Sequence, residues 1–209
     1  YRYTFILIGE FMRNLLIAAI GLFMTSTVFA QGKYFLSYEL SDNEWDTGVA
    51  VVSGAVLDED DNGYAILGGI HLNDNLDIEL GYKDFGEASL AGASGNRFTY
   101  EGTTYQFNAT ATITMEGDAY LIGVKPKYKL SENLLLYGRL GVSMWDVTLG
   151  VATGTSSANV DDDGNDIYYG LGIQGKFGGL DFSLAHSKYE FDSDEVDSNA
   201  LSVSYMLNF

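Results

Sequence analysis

The chain has 209 residues, 25 glycines, one proline and no cysteine, and its formal net charge is −18. That acidic balance argues against nucleic-acid binding, which needs a basic footprint, and the missing cysteine excludes disulfide frameworks and thiolate metal sites. Fifteen tyrosines beside abundant glycine, at a mean hydropathy of only +0.01, are unusual for a soluble domain and fit a wall whose side chains alternate between two environments.

The first element is a leader. Met12-Arg13-Asn14 precedes an apolar run from Leu15 to Met24, and Thr25-Ser26-Thr27-Val28-Phe29-Ala30 places Val28 and Ala30 at the −3 and −1 positions of a cleavage site. The reading is a signal peptide over 12–30, an upstream extension without function over 1–11, and a mature chain from Gln31. A membrane anchor joining Phe5–Ile8 to this run is the weaker reading, because Glu10 and Arg13 would lie inside the span.

Beyond the leader the chain alternates with a period of two, the signature of strands rather than helices. Strands are predicted over 34–40, 64–73, 76–85, 119–130, 134–147, 166–177, 180–191 and the last ten residues. In the second, Tyr64, Ile66, Ile70 and Leu72 oppose Ala65, Leu67, Gly69 and His71. In the third, Ile78, Leu80 and Tyr82 oppose Asp77, Glu79 and Lys83; in the fourth, Tyr120, Ile122, Val124 and Tyr128 oppose Gly123, Lys125 and Lys127. In the sixth, Ile167, Tyr169, Leu171 and Ile173 oppose Tyr168, Gly170, Gly172 and Gln174, and in the last Leu201, Val203, Tyr205, Leu207 and Phe209 oppose Ala200, Ser202, Ser204 and Met206. The seventh loses its clean phase near His186.

Connections alternate between short and long. Asn73-Asp74-Asn75, Ser131-Glu132-Asn133 and Gly178-Gly179 are tight hairpin turns. The others are long loops over 41–63, 86–118 and 151–165, with a shorter one over 192–197, and the segment 98–107 has the pattern of a hairpin of its own. The fold expected is all-β: an eight-stranded antiparallel up-and-down transmembrane β-barrel occupying 31–209, with short periplasmic turns, long extracellular loops and both termini periplasmic. A soluble eight-stranded barrel would show the same period with the faces exchanged; charge and glycine on the alternate face argue for the membrane form.

Acids crowd the loops, with Arg97 as their one basic companion. Two patches, Asp58, Asp60 and Asn62, then Asp161, Asp163 and Asp166, carry oxygen ligands at spacings suited to a hard cation such as Ca2+. Neither patch has the downstream glutamate of a full calcium loop, so a solvated acidic surface without cofactor is the preferred reading and weak calcium binding the lesser one.

The segment from Tyr128 to Gly141 with Met144-Trp145, the stretch Asn75–Gly86 and the ending Ser204–Phe209 resemble the OmpA-like family of eight-stranded outer-membrane barrels. The resemblance covers about 33–209. It implies a ladder of charged side chains inside the barrel, at positions matched by Glu79, Lys125 and Arg139, with Gln174 and Ser183 where other members carry charge. Lys127 shares the lumen face, and Glu79 and Lys125 are expected to pair. Tyr205, Leu207 and Phe209 resemble the terminal signal read by the outer-membrane assembly machinery.

The expected role is structural and surface-interacting: outer-membrane integrity, contact with lipid and lipopolysaccharide, adhesion through the acidic loops, and a lumen plugged by its own polar network in a monomer of a Gram-negative cell. The alternative is a narrow conduit for small solutes or ions. A lipid-modifying enzyme ranks third, since His71 sits near a turn and the adjacent His186 and Ser187 point to opposite faces of a strand. No catalytic residue is assigned.

Overall fold

The computed structural model describes residues 33–192 and 194–208, so the leader read over 12–30, the extension 1–11 and Phe209 lie outside the described residues. Twelve strands follow in order: β1 (Lys33–Asp46), β2 (Val49–Ser53), β3 (Val56–Asp58), β4 (Asp60–Asn73), β5 (Leu76–Gly92), β6 (Arg97–Tyr100), β7 (Thr103–Gln106), β8 (Ala111–Lys129), β9 (Leu134–Thr153), β10 (Ser157–Phe177), β11 (Leu180–Phe191) and β12 (Asp194–Asn208). Eight of them form a closed antiparallel barrel, because β1 pairs with both β12 and β4, while β5 pairs with β8 on its far side. Closure leaves none of these eight strands as a sheet edge, the condition for crossing hydrocarbon with a sheet.

Side-chain polarity follows the alternation. Leu171 is 68% exposed on the outer face, whereas Glu79 is 1% exposed inside, so the apolar side faces outward and the charges face the lumen. The outer belt includes Leu36, Leu40, Ile66, Ile122, Leu140, Leu184 and Leu201. So large an apolar surface would be an association liability in water. Tyrosines bound it: Tyr64, Tyr82 and Tyr120 form a row with ring centroids 6.2 and 5.6 Å apart at the loop end, and Tyr128, Phe177 and Tyr205 are exposed at the turn end. Such girdles mark the two interfaces of a membrane-spanning barrel.

The turn end matches the sequence reading. Gly178 and Gly179 have φ of 61° and 86°, the left-handed geometry that a two-residue hairpin requires and that glycine adopts without strain. The loop end differs. Most of the expected loop 151–165 is strand: β9 and β10 pair from Ala152↔Ser157 down to Leu134↔Gly175 and leave only 154–156 as a turn. β5 and β8 likewise extend to Gly92↔Ala111. The run Asp161-Asp162-Asp163-Gly164-Asn165 is made of turn-type residues, so it reads as loop in the sequence although it pairs as strand. The 98–107 hairpin forms as β6 and β7 and joins β2 in a small sheet of its own.

The expected loss of phase near His186 does not occur. β11 runs from Leu180 to Phe191 without a register shift, and His186 keeps to the outward face of Phe182 and Leu184. The polarity changes there because the strand has left the apolar belt.

Candidate functional site: the plugged lumen

The inward side chains stack in layers along the barrel. At its middle Arg139 on β9 donates Nε to Glu79 on β5 at 2.9 Å and Nη1 to Glu39 on β1 at 3.0 Å. In the circular strand order β1 and β9 lie on opposite walls, so this guanidinium spans the lumen. Lys83 lies 3.6 Å from Glu39 and donates to Ser41 at 2.8 Å, and Tyr168 reaches Glu79 at 3.4 Å. All of these side chains are buried. Two carboxylates thus face two fixed cations in a low-dielectric interior, where such groups persist only when paired.

The expected Glu79–Lys125 pair is replaced by Glu79–Arg139. Register is the reason. Glu79 stands opposite Gly69 on one side and Gly123 on the other, which clears the wall for large side chains to reach across. Lys125 stands opposite Asp77 and turns instead to Gln174, 3.1 Å away, and to the Tyr137 ring, 4.0 Å from its centroid. Lys127, also expected in the network, pairs with Asp77, which is bonded to His71 near the turn end. The ladder therefore divides into an arginine layer, a Lys125–Gln174 layer and a lower His71–Asp77–Lys127 group. Glu39 and Lys83 belong to the arginine layer and were not singled out from the sequence; on β1 Glu39 alternates with Ser37 and Ser41 on the buried face.

Above the charges lies a layer that the sequence reading missed. Trp45, Phe85, Trp145 and Phe191 come from β1, β5, β9 and β11, alternate strands of the barrel, and meet with ring centroids 5.0 to 6.2 Å apart. Two glycines make room for such rings: a Cβ on Gly117 would collide with Trp45, and one on Gly141 with Tyr168. Phe85, Trp145 and Phe191 lie at or near the ends of predicted strands and Trp45 lies in the loop expected over 41–63, and none carried a lumen assignment.

Neither acidic patch forms a cation cage, and among the described residues no three His, Cys, Asp or Glu side chains are gathered to hold a metal. Asp58 is on β3, while Asp60 and Asn62 are on β4. Asp161 and Asp163 share one face of β10, and Asp166 falls on the other, where its carboxylate accepts Trp145 Nε1 and the Asp192 amide, both at 2.9 Å. Extended strand holds alternate residues apart, whereas a calcium loop must wrap them round one point.

At the loop-end rim Asp84, Asp118 and Asp146 stand side by side on β5, β8 and β9, just beyond Tyr82 and Tyr120. Burial, then Asp146 and Asp84, push the Asp118 carboxyl from 3.8 up to about 6. The folded state therefore binds this proton more tightly than the unfolded chain does. Ionised Asp118 opposes folding above that value, and its opposition fades as the pH falls from 6 towards 4. Asp118→Asn is expected to raise the urea midpoint at about pH 8 and to leave it unchanged at about pH 4.

A closed eight-stranded sheet with an apolar outer belt, two aromatic girdles and an ionic interior defines a transmembrane β-barrel of the outer-membrane class. The OmpA-like transmembrane domain matches residues 38–179, and the chain belongs to that family. It is similar in fold to Ail, the attachment invasion locus protein of Yersinia pestis, at a TM-score of 0.54 and 13% identity over 85% of this chain and 99% of that one. A second Ail structure, in complex with the heparin analogue sucrose octasulfate, aligns at a TM-score of 0.53 and 12% identity, again over 85% and 99% of the two chains. No curated protein sequence gives a significant match.

Proposed function

We propose that the protein is a structural and surface-interacting barrel of the bacterial outer membrane, non-enzymatic and monomeric, with a lumen closed by its own side chains. The observation that carries the reading is Arg139 bridging opposite walls beneath the ring of Trp45, Phe85, Trp145 and Phe191. An eight-stranded barrel has room for side chains, not for an aqueous channel, once such groups fill it. The turn end would face the periplasm and hold both termini, with residues 12–30 removed as a signal peptide after export. Lipid and lipopolysaccharide would surround the belt, and Tyr205, Leu207 and Phe209 would serve the assembly machinery.

The geometry at the histidines supports a non-enzymatic role. His186 is exposed on the outer face, near Asn199 and Asp197, while Ser187 is buried in the lumen. The loop end carries acids on β1, β3, β4, β10 and β12, so its partners should be basic surfaces. A sulfated polyanion, of the kind bound in the Ail complex, would be repelled.

Planar-bilayer recording of the purified, folded protein tests the plug. The expected result is no steady current above that of bare lipid. A stable open conductance would overturn the plug and favour the conduit reading.

A further inference from the structure

The barrel holds a second interior compartment above the aromatic layer. The loop-end extensions of β5, β8 and β9, roofed by the β2-β6-β7 sheet, enclose a cavity of about 300 Å3. Leu90 and Met115 line its inner part, and Met115 also packs on the aromatic layer below. Phe98, Tyr100 and Tyr105 form the wall given by the β6–β7 hairpin, with Phe98 and Tyr105 stacked at 5.5 Å. Tyr105 is 46% exposed, so this wall reaches solvent.

One carboxylate, Asp194 at the start of β12, also lines the cavity, and among the described residues no lysine, arginine or histidine does. Apolar walls hold water poorly, and the volume is at the small end of organic-ligand sites. An acid beside electron-rich ring faces is the chemistry that recognises an ammonium group. A carboxylate ligand would meet repulsion, and a neutral hydrocarbon would leave Asp194 desolvated without a partner.

We infer that this compartment binds a small apolar ammonium ion, an alkyl- or arylalkylammonium, with its hydrocarbon part against Leu90 and Met115 and its charge between Asp194 and the hairpin's rings. This site is separate from the plug and does not depend on whether the lumen conducts. The acids around Asp194 reinforce the choice of charge. Burial, then Asp46 on β1, Asp192 and Glu101, push its carboxyl up to about 6, and a bound cation offsets that mutual repulsion.

The test uses full-length protein in lipid nanodiscs with methyl-labelled methionine, titrated with n-hexylammonium, n-hexanol and hexanoate. Saturable shifts of the Met115 methyl by hexylammonium are expected, with the lipid-facing Met144 and the turn-end Met206 unmoved. Asp194→Asn should weaken hexylammonium about tenfold while leaving hexanol unchanged. Lowering the pH from about 7.5 to about 5 should weaken it by a similar factor in the unaltered protein. A non-saturable response, equal shifts by hexanoate, or an affinity indifferent to Asp194→Asn would each overturn the inference. So would a shift at Met144 that matches the one at Met115, since that reports partition into lipid.

Discussion

Replacing Arg139 with methionine will lower the stability of the folded barrel by about 3–5 kcal/mol, read as a fall in the urea midpoint in lipid vesicles at neutral pH. Arg139 answers both Glu39 and Glu79; without it Glu39 keeps only Lys83, and Glu79 loses its ion-pair partner. Methionine fills much of the vacated volume, so the loss reports uncompensated charge rather than a void. The double variant Arg139→Met with Glu79→Gln removes one charge of each sign and leaves Glu39 with Lys83. It should recover a large part of the loss, and the difference between the double and single variants measures the coupling. An unchanged midpoint in the single variant would show that water enters the lumen and screens the ladder.

Trp45→Ala is expected to cost about 3–5 kcal/mol by a different route. The indole is 1% exposed and packs on Phe85, Phe191 and the bare backbone of Gly117. Its partners sit on separate strands of a closed sheet, so they cannot collapse into the gap, and the cavity term applies nearly in full. Bilayer recordings of this variant should remain silent, because the arginine layer beneath still spans the lumen. Loss of stability together with a steady current would show that the aromatic ring, and not the ion network, is the seal.

Some of this interior could be read residue by residue. Alternation, with the charge and glycine on one face, put Glu79, Lys125, Lys127 and Gln174 on the lumen side; in the structure Glu79, Lys125 and Gln174 are buried there and Lys127 bonds Asp77. Glu39, inside the predicted first strand, obeys the same rule, but no faces were assigned in that strand. Trp45, in the loop expected over 41–63, and Phe191, beyond the point where the seventh strand was read as losing phase, were not placed that way. An aromatic side chain at a strand end reads equally as girdle, loop or lining, and a wall turned towards lipid below and water above changes its outer chemistry halfway along. The same change hid β9 and β10 beyond the membrane, where Asp161 to Asp163 looked like loop but lie in a regular ladder opposite Asp146 to Thr148.

The sequence by itself determined the number of barrel strands, the faces of most of them, the asymmetry of the two ends and the family, because a period of two and the position of turn residues are local properties of the chain. Only the tertiary structure decided who meets whom: Glu79 with Arg139 rather than Lys125, Asp166 with Trp145 rather than a cation, and an apolar chamber above the plug. Those choices depend on the stagger between strands, which is fixed when the sheet closes on itself, and on chords across the lumen such as Glu39 to Arg139, 100 positions apart.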